Sequence, residues 1–275
     1  MGETCVPNPP QRLVTLSQFT LANVLALGFK PVGSTSNARQ VDFPAYLKNE
    51  PQGIKKLGRE EAPNLEGILL LKPDLILGKD NSEAIYPHLS QIAPTVLGKW
   101  ESTPSWREHF NFVAEVLDRK ELAQQLWKRY NQRIQALKVD LDNRYQNQQI
   151  SVIRISNDGS IVVDAKNSFV GSILNDIGLQ RPKLQEAVGL YGVAVSNLSE
   201  ENLNEIDGDI LFILTFTDDD RNKLQDLQRK PLWQTLRAVQ QGKVYLVEGE
   251  TWVGSTILAA DAVINDLYKY LVNTP

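Results

Sequence analysis

KELAQQLWKRYNQRIQALKVDLDNRY, residues 120–145, runs for 26 residues without Gly or Pro. Leu122, Leu126, Trp127, Tyr130, Ile134, Leu137, Leu141 and Tyr145 keep helical spacing and form one apolar stripe on an otherwise charged rod. At roughly 1.5 Å per residue the rod would be about 39 Å long, the width of a small domain. It sits almost midway along the 275 residues. Two readings fit: a rigid strut joining two halves, or a long surface helix of one domain.

Outward from the rod, both sides read as strands alternating with helices. On the N-terminal side, residues 12–17, 30–33, 74–78 and 95–98 are predicted strands, and residues 18–27, 63–72, 82–92 and 105–117 predicted helices. On the C-terminal side, residues 151–155, 161–164, 209–214 and 243–247 read as strands. Helices are expected at residues 168–177, 199–206, 232–240 and 256–271, with loops at 187–195 and 215–221. This alternation implies α/β architecture, with parallel or mixed sheets covered on both faces.

The halves also resemble each other. LEGILLLKPDLIL (65–77) aligns with EENLNEIDGDILF (200–212) at an offset of 135, matching Glu66 to Glu201, Ile68 to Leu203, Leu71 to Ile206 and Asp74 to Asp209. Each copy places a Glu in a first helical turn, where the dipole favours a carboxylate, and an Asp at the start of a buried strand. A match on either side of the rod favours a pseudo-repeated, bilobal plan. The expected division is an N-terminal lobe at 1–118, a connecting helix at 119–146 and a C-terminal lobe at 147–275.

Composition narrows the function. Apolar residues make up 42% and charged residues 23%, with a net charge of −4 and no basic block, which argues against nucleic acid as a partner. The longest apolar run, residues 67–71, is far short of the ~20 residues that cross a bilayer. With two histidines, His88 and His109, and one cysteine, a protein-built metal cage is not expected. Cys5 is either a lone thiol or the partner of a cysteine upstream. The opening MGETCVPNPP holds no apolar signal-peptide core, so export and tethering would rest on a further N-terminal segment. No Ser-His-Asp or Cys-His arrangement and no Gly-rich phosphate loop suggests an enzyme. Asp218, Asp219 and Asp220 read as a solvated acidic turn.

The stretches NPPQRLVTLSQFTLANVLALGFKPVG (8–33), APNLEGILLLKPDLILG (62–78), SFVGSILNDIGLQRP (168–182) and WVGSTIL (252–258) resemble the class III substrate-binding proteins of ABC importers, in particular the iron–siderophore branch. The resemblance implies two α/β lobes joined by one long helix, a ligand cleft between them and modest closure on loading. It implies a monomeric, non-enzymatic carrier, periplasmic or otherwise exported, that has no cofactor and captures a ferric siderophore of the hydroxamate/carboxylate or catecholate type. A cobalamin- or haem-binding protein of the same fold is the alternative. Glu66 and Glu201 would then pair with arginines on the transporter's membrane subunits.

Cationic and aromatic residues near strand ends and loops are the candidates for the ligand. Arg154 stands in the apolar strand SVIRI, where an unpaired guanidinium is expensive, so it either pairs with an acidic residue or reaches an anionic ligand. The resemblance favours the ligand. Arg39 and Arg221 lie in polar loops, where solvation is the default. Trp100, Trp106, Tyr191 and Trp252 follow loops expected to open onto the cleft, and aromatic faces suit a large, partly apolar chelate. Trp127 and Trp233, on helical apolar stripes, are assigned to packing. Iron would arrive already chelated, and arginine forks would match its carboxylates.

Overall fold

The computed structural model describes residues 4–36, 43–48, 51–142, 144–156 and 158–273. The chain divides into two compact units. Unit 1 comprises Met1–Glu101, Ser105–Arg129 and Thr256–Leu258, and unit 2 comprises Ser102–Pro104, Tyr130–Ser255 and Ala259–Pro275.

Among the described residues, unit 1 holds a six-stranded sheet in the order β4-β3-β2-β1-β5-β6. Its strands are β1 (Leu13–Thr15), β2 (Gly33–Ser36), β3 (Lys55–Arg59), β4 (Ala62–Pro63), β5 (Leu75–Lys79) and β6 (Thr95–Gly98). All neighbours are parallel except β3 and β4. Helices α1 (Gln18–Ala26), α2 (Leu65–Leu70), α3 (Tyr86–Ile92) and α4 (Trp106–Val116) belong to the same unit. The core of one face joins Val14, Leu16, Leu57, Ile68, Ile76 and Leu89. β3 and β4 were not expected. LGR and AP carry almost no apolar alternation, and β3 is exposed except at Leu57, so its strand state comes from pairing with β2 and not from local pattern.

The helix α5 spans Lys120–Leu141 and stops four residues short of the predicted end. Asp142 takes a positive φ of 49°. The Arg144 guanidinium donates to the carbonyls of Leu141 (3.2 Å) and Asp140 (2.6 Å), satisfying groups that a continuing helix would have used. Its residues divide between the units, Lys120–Arg129 in unit 1 and Tyr130–Leu141 in unit 2. In unit 1, Trp127 packs on Trp106 and Phe110. In unit 2, the Tyr130 hydroxyl donates to Asp176 (2.6 Å), while Arg133 binds Asp261 (2.7 Å) and Asn265 (2.6 Å). Tyr130, Ile134, Leu137 and Leu141 are buried.

Unit 2 has a five-stranded mixed sheet among its described residues, in the order β11-β10-β7-β8-β9. Its strands are β7 (Ile150–Ile155), β8 (Ile161–Asp164), β9 (Val193–Leu198), β10 (Ile210–Thr215) and β11 (Val244–Glu248). β10 is parallel to both its neighbours, and β8 is antiparallel to both of its own. Helix α6 (Phe169–Ile177) is capped by the Ser168 hydroxyl and ends at Gly178, whose φ of 86° suits a residue without Cβ. Helix α7 (Asp218–Gln228) replaces part of the expected loop at 215–221. Thr217 and Asp220 form a reciprocal capping box, so the three aspartates are the first turn of a helix and not a free acidic turn. Within the helix expected at 199–206, the segment Glu200–Ile206 is a 3₁₀ helix.

The internal repeat has a structural counterpart. The Asp74 carboxylate accepts the backbone N–H groups of Gln11 (2.6 Å) and Arg12 (3.0 Å), just ahead of β1. At the equivalent position, the Asp209 carboxylate accepts the Gln149 N–H (2.7 Å), just ahead of β7. Each Asp also returns its own N–H to the neighbouring chain, to Arg12 and Gln149 respectively. In both halves a carboxylate thus ties the start of its own strand to that of the adjacent parallel strand. Charge-assisted bonds of this kind contribute about 1.5–3 kcal/mol each.

Candidate functional site

In unit 1, parallel β1, β5 and β6 end together, and the residues just past those ends form one cluster. The Ser17 hydroxyl accepts the Thr20 N–H (3.0 Å) and opens α1, which places Phe19 in its first turn. Lys79 ends β5, and Trp100 follows β6 by two residues, its backbone N–H donating to the Asp80 carboxylate (3.2 Å). The Phe19 and Trp100 rings stack with centroids 4.9 Å apart and planes 20° apart, and both are half-buried. The Lys79 ammonium lies 4.8 Å from the first centroid and 4.9 Å from the second. It is ion-paired to Glu60, which also accepts from the Asn81 amide (2.8 Å). His109 meets the Trp100 ring edge-on at 5.2 Å, and its Nε2 lies 3.1 Å from the Thr20 hydroxyl. Burial first, and the Lys79 charge second, lower the His109 pKa to about 3, so the ring is neutral at physiological pH.

In unit 2, Arg154 on β7 and Asp164 on β8 share one face of the sheet by their register. They meet side-on, with Nε donating to Oδ2 (3.0 Å) and Nη2 to Oδ1 (2.6 Å). The Arg154 side chain is 18% exposed, against 4% for that of Asp164. Burial pushes the Asp164 carboxyl up, against the pull of Arg154.

Beside this pair, residues 188–192 form an anchored loop. The Asn167 amide brackets Gly189, donating to its carbonyl (3.0 Å) and accepting its N–H (2.9 Å). The Ala165 N–H reaches the Gly192 carbonyl (2.9 Å), and the Thr103 hydroxyl reaches the Tyr191 carbonyl (3.3 Å). Tyr191 has a φ of 55° and is 62% exposed, and Val188 and Leu190 are each 77% exposed. A left-handed Tyr costs of order 1–3 kcal/mol, which the surrounding bonds sustain. Three exposed apolar residues on a fixed loop are a surface suited to contact.

The remaining candidates separate. Trp106 is fully buried, contacting Trp127 at 5.3 Å with the Arg107 guanidinium over it at 4.3 Å. Trp252 is fully buried against Phe212 (4.7 Å), with its indole N–H bound to Asp266 (2.8 Å). Both are corrected to packing residues, because neither presents a face to a ligand. Trp106 follows the amphipathic register of α4 inward with Phe110 and Val113, and the Gly249–Trp252 turn seats the second indole under β10. Arg221 lies on α7, exposed and 3.6 Å from Asp218, not in a loop. Arg39 lies outside the described residues.

Glu66 is exposed in the first turn of α2, whose cap is the Asn64 side chain. Glu201 is exposed in the 3₁₀ segment, and its neighbour Glu200 is taken by Lys230 at 3.2 Å. Among the described residues, no ion pair engages Glu66 or Glu201.

Phe19, Glu60, Lys79 and Asp164 escaped the sequence reading. Lys79 and Asp164 did leave a signal, since each ends an apolar strand, LILGK and IVVD, where a charge requires a partner. Glu60 left none.

The family model for periplasmic binding proteins matches residues 13–251. The probable siderophore-binding lipoprotein YfiY of Bacillus subtilis (strain 168) is 31% identical, over 98% of this chain and 85% of its own. The achromobactin-binding periplasmic protein of Dickeya dadantii (strain 3937) is 30% identical over 94% of this chain and 86% of its own. The crystal structure of Staphylococcus aureus SirA complexed with staphyloferrin B has a TM-score of 0.84 at 27% identity, covering 98% of this chain and 96% of that one. With matches of this extent over an α/β chain of two sheets, the protein belongs to the periplasmic binding protein family, among its class III substrate-binding proteins.

Proposed function

We propose that this protein captures a ferric siderophore outside the cytoplasm and delivers it, chemically unchanged, to the membrane subunits of an ABC importer. The similarity to SirA in its staphyloferrin B complex, along 98% of the chain, carries this reading. Physical chemistry supports it. A preformed chelate needs charge complementarity and apolar contact from its carrier. Trp100 and Tyr191 offer aromatic surface. Arg154, held side-on by Asp164, keeps a partly exposed side chain, and Arg221 adds an exposed cation. Arg39 is a further candidate cation for the ligand.

The carrier works as an exported monomer. Glu66 and Glu201, exposed at repeat-equivalent positions, are its docking carboxylates. The Glu200–Lys230 pair favours Glu201 over its neighbour for this role. No helix among the described residues is long and apolar enough to cross a membrane.

The test is tryptophan fluorescence quenching with ferric staphyloferrin B, ferric citrate, a ferric tris-catecholate, a ferric hydroxamate, cobalamin and haem. Saturable quenching by at least one iron chelate at micromolar concentration is expected, with the chelate recovered intact. No quenching by any of them, or quenching by cobalamin or haem alone, overturns the reading. Glu66→Arg with Glu201→Arg should abolish uptake and leave affinity within about twofold, because rim charges act on docking and not on the pocket.

A further inference from the structure

We infer that Glu60 and Lys79 are positioning residues, which fix the Trp100–Phe19 pair as a preset aromatic face for the ligand without touching the ligand themselves. The inference rests on the proposed siderophore-binding function and deepens it.

Lys79 is 4% exposed and Glu60 9%. A buried ammonium is costly unless it is paired, and replacing such a pair with apolar residues is often neutral or stabilising. Stability alone is therefore a weak reason to keep this pair. Its placement supplies another. The ammonium sits within cation–π range, ~6 Å, of both stacked rings at once. The Asn81 amide holds the Glu60 carboxylate, the carboxylate holds the ammonium, and the ammonium restrains the rings. Neutral His109 packs against Trp100 in a T-shaped contact at 5.2 Å. Both rings stay half-buried, so each retains surface that a ligand can cover. A face held before the ligand arrives spares the cost of ordering two large side chains on binding. Glu60 also cancels the Lys79 charge locally, so the face offers aromatic contact and leaves anion attraction to the arginines.

The test separates placement from stability. Glu60→Gln leaves the ammonium uncompensated, while Glu60→Gln with Lys79→Met is neutral and keeps the volume. The protein is labelled with 5-fluorotryptophan, and the Trp100 resonance is assigned with Trp100→Phe. In the double variant, the melting temperature should stay within a few degrees of wild type. The Trp100 fluorine resonance should nevertheless shift and narrow, and affinity for whichever ferric chelate of the above panel binds wild type should fall about tenfold. A Trp100 resonance unchanged in both variants refutes the positioning role. A mobile Trp100 with unchanged affinity refutes the link to the ligand. If wild-type protein binds no chelate, the proposed function fails, and the fluorine spectrum still decides whether the pair positions Trp100.

Discussion

Protonation of His109 should destabilise this protein well above the pH at which its carboxylates titrate. The ring is 1% exposed, its Nε2 faces the Thr20 hydroxyl, and its Nδ1 has no hydrogen-bond partner among the described residues. A second cation there would sit near the Lys79 ammonium with no carboxylate of its own. The pKa falls from 6.5 in the unfolded chain to about 3 in the fold. Because the folded value is depressed, the fold favours the neutral ring. The stability from that preference is complete above pH 6.5 and drains away as pH falls towards 3. Each pH unit in that window costs about 1.4 kcal/mol, so roughly 2 kcal/mol is lost by pH 5.

Urea unfolding of wild type and His109→Gln at pH 7.5, 6.5, 5.5 and 5.0 measures the effect. Glutamine keeps a polar group within reach of Thr20 but cannot titrate. Wild type should lose about 2 kcal/mol more than the variant between pH 7.5 and pH 5, since other titrating groups cancel in the difference. In parallel, the His109 Hε1 resonance should stay flat down to pH 5. Two curves that run parallel, or an Hε1 midpoint near 6.5, would refute the assignment of a neutral buried ring.

Two further outcomes follow from packing. A Cβ at Gly189 would overlap the Val193 carbonyl, so Gly189→Ala should cost about 1–3 kcal/mol. It should also release the 188–192 loop, read as faster proteolysis beside Tyr191; an unchanged cleavage rate counts against an anchored loop. Trp252→Phe removes the indole bond to Asp266 and should lower stability by about 1–2 kcal/mol. It should leave chelate affinity intact, whereas Trp100→Leu should do the reverse, and calorimetric melting with fluorescence titration distinguishes the two patterns.

Local chemistry made much of the fold readable. The apolar stripe of α5, the Ser168 cap and Gly178 stop of α6, and the apolar strands β5, β7 and β10 are dictated by residues close in sequence, and so is the Glu66/Asp74 to Glu201/Asp209 repeat. Periodicity and capping act over one or two turns, and the sequence displays them directly. Elements whose state depends on a distant partner were not readable. β3 is a strand because β2 lies beside it, and β9 because β8 does. Among the candidate residues, Trp100 and Trp252 both follow strands and look alike in sequence. One indole stacks half-buried on Phe19, and the other is sealed against Phe212. The Arg154 strand announced that a partner was needed, but Asp164 could be chosen only once β7 and β8 were in register. The Glu60–Lys79 pair joins residues from β5 and the end of β3. Burial and ion pairing are properties of neighbours in space, and only the tertiary structure decided them.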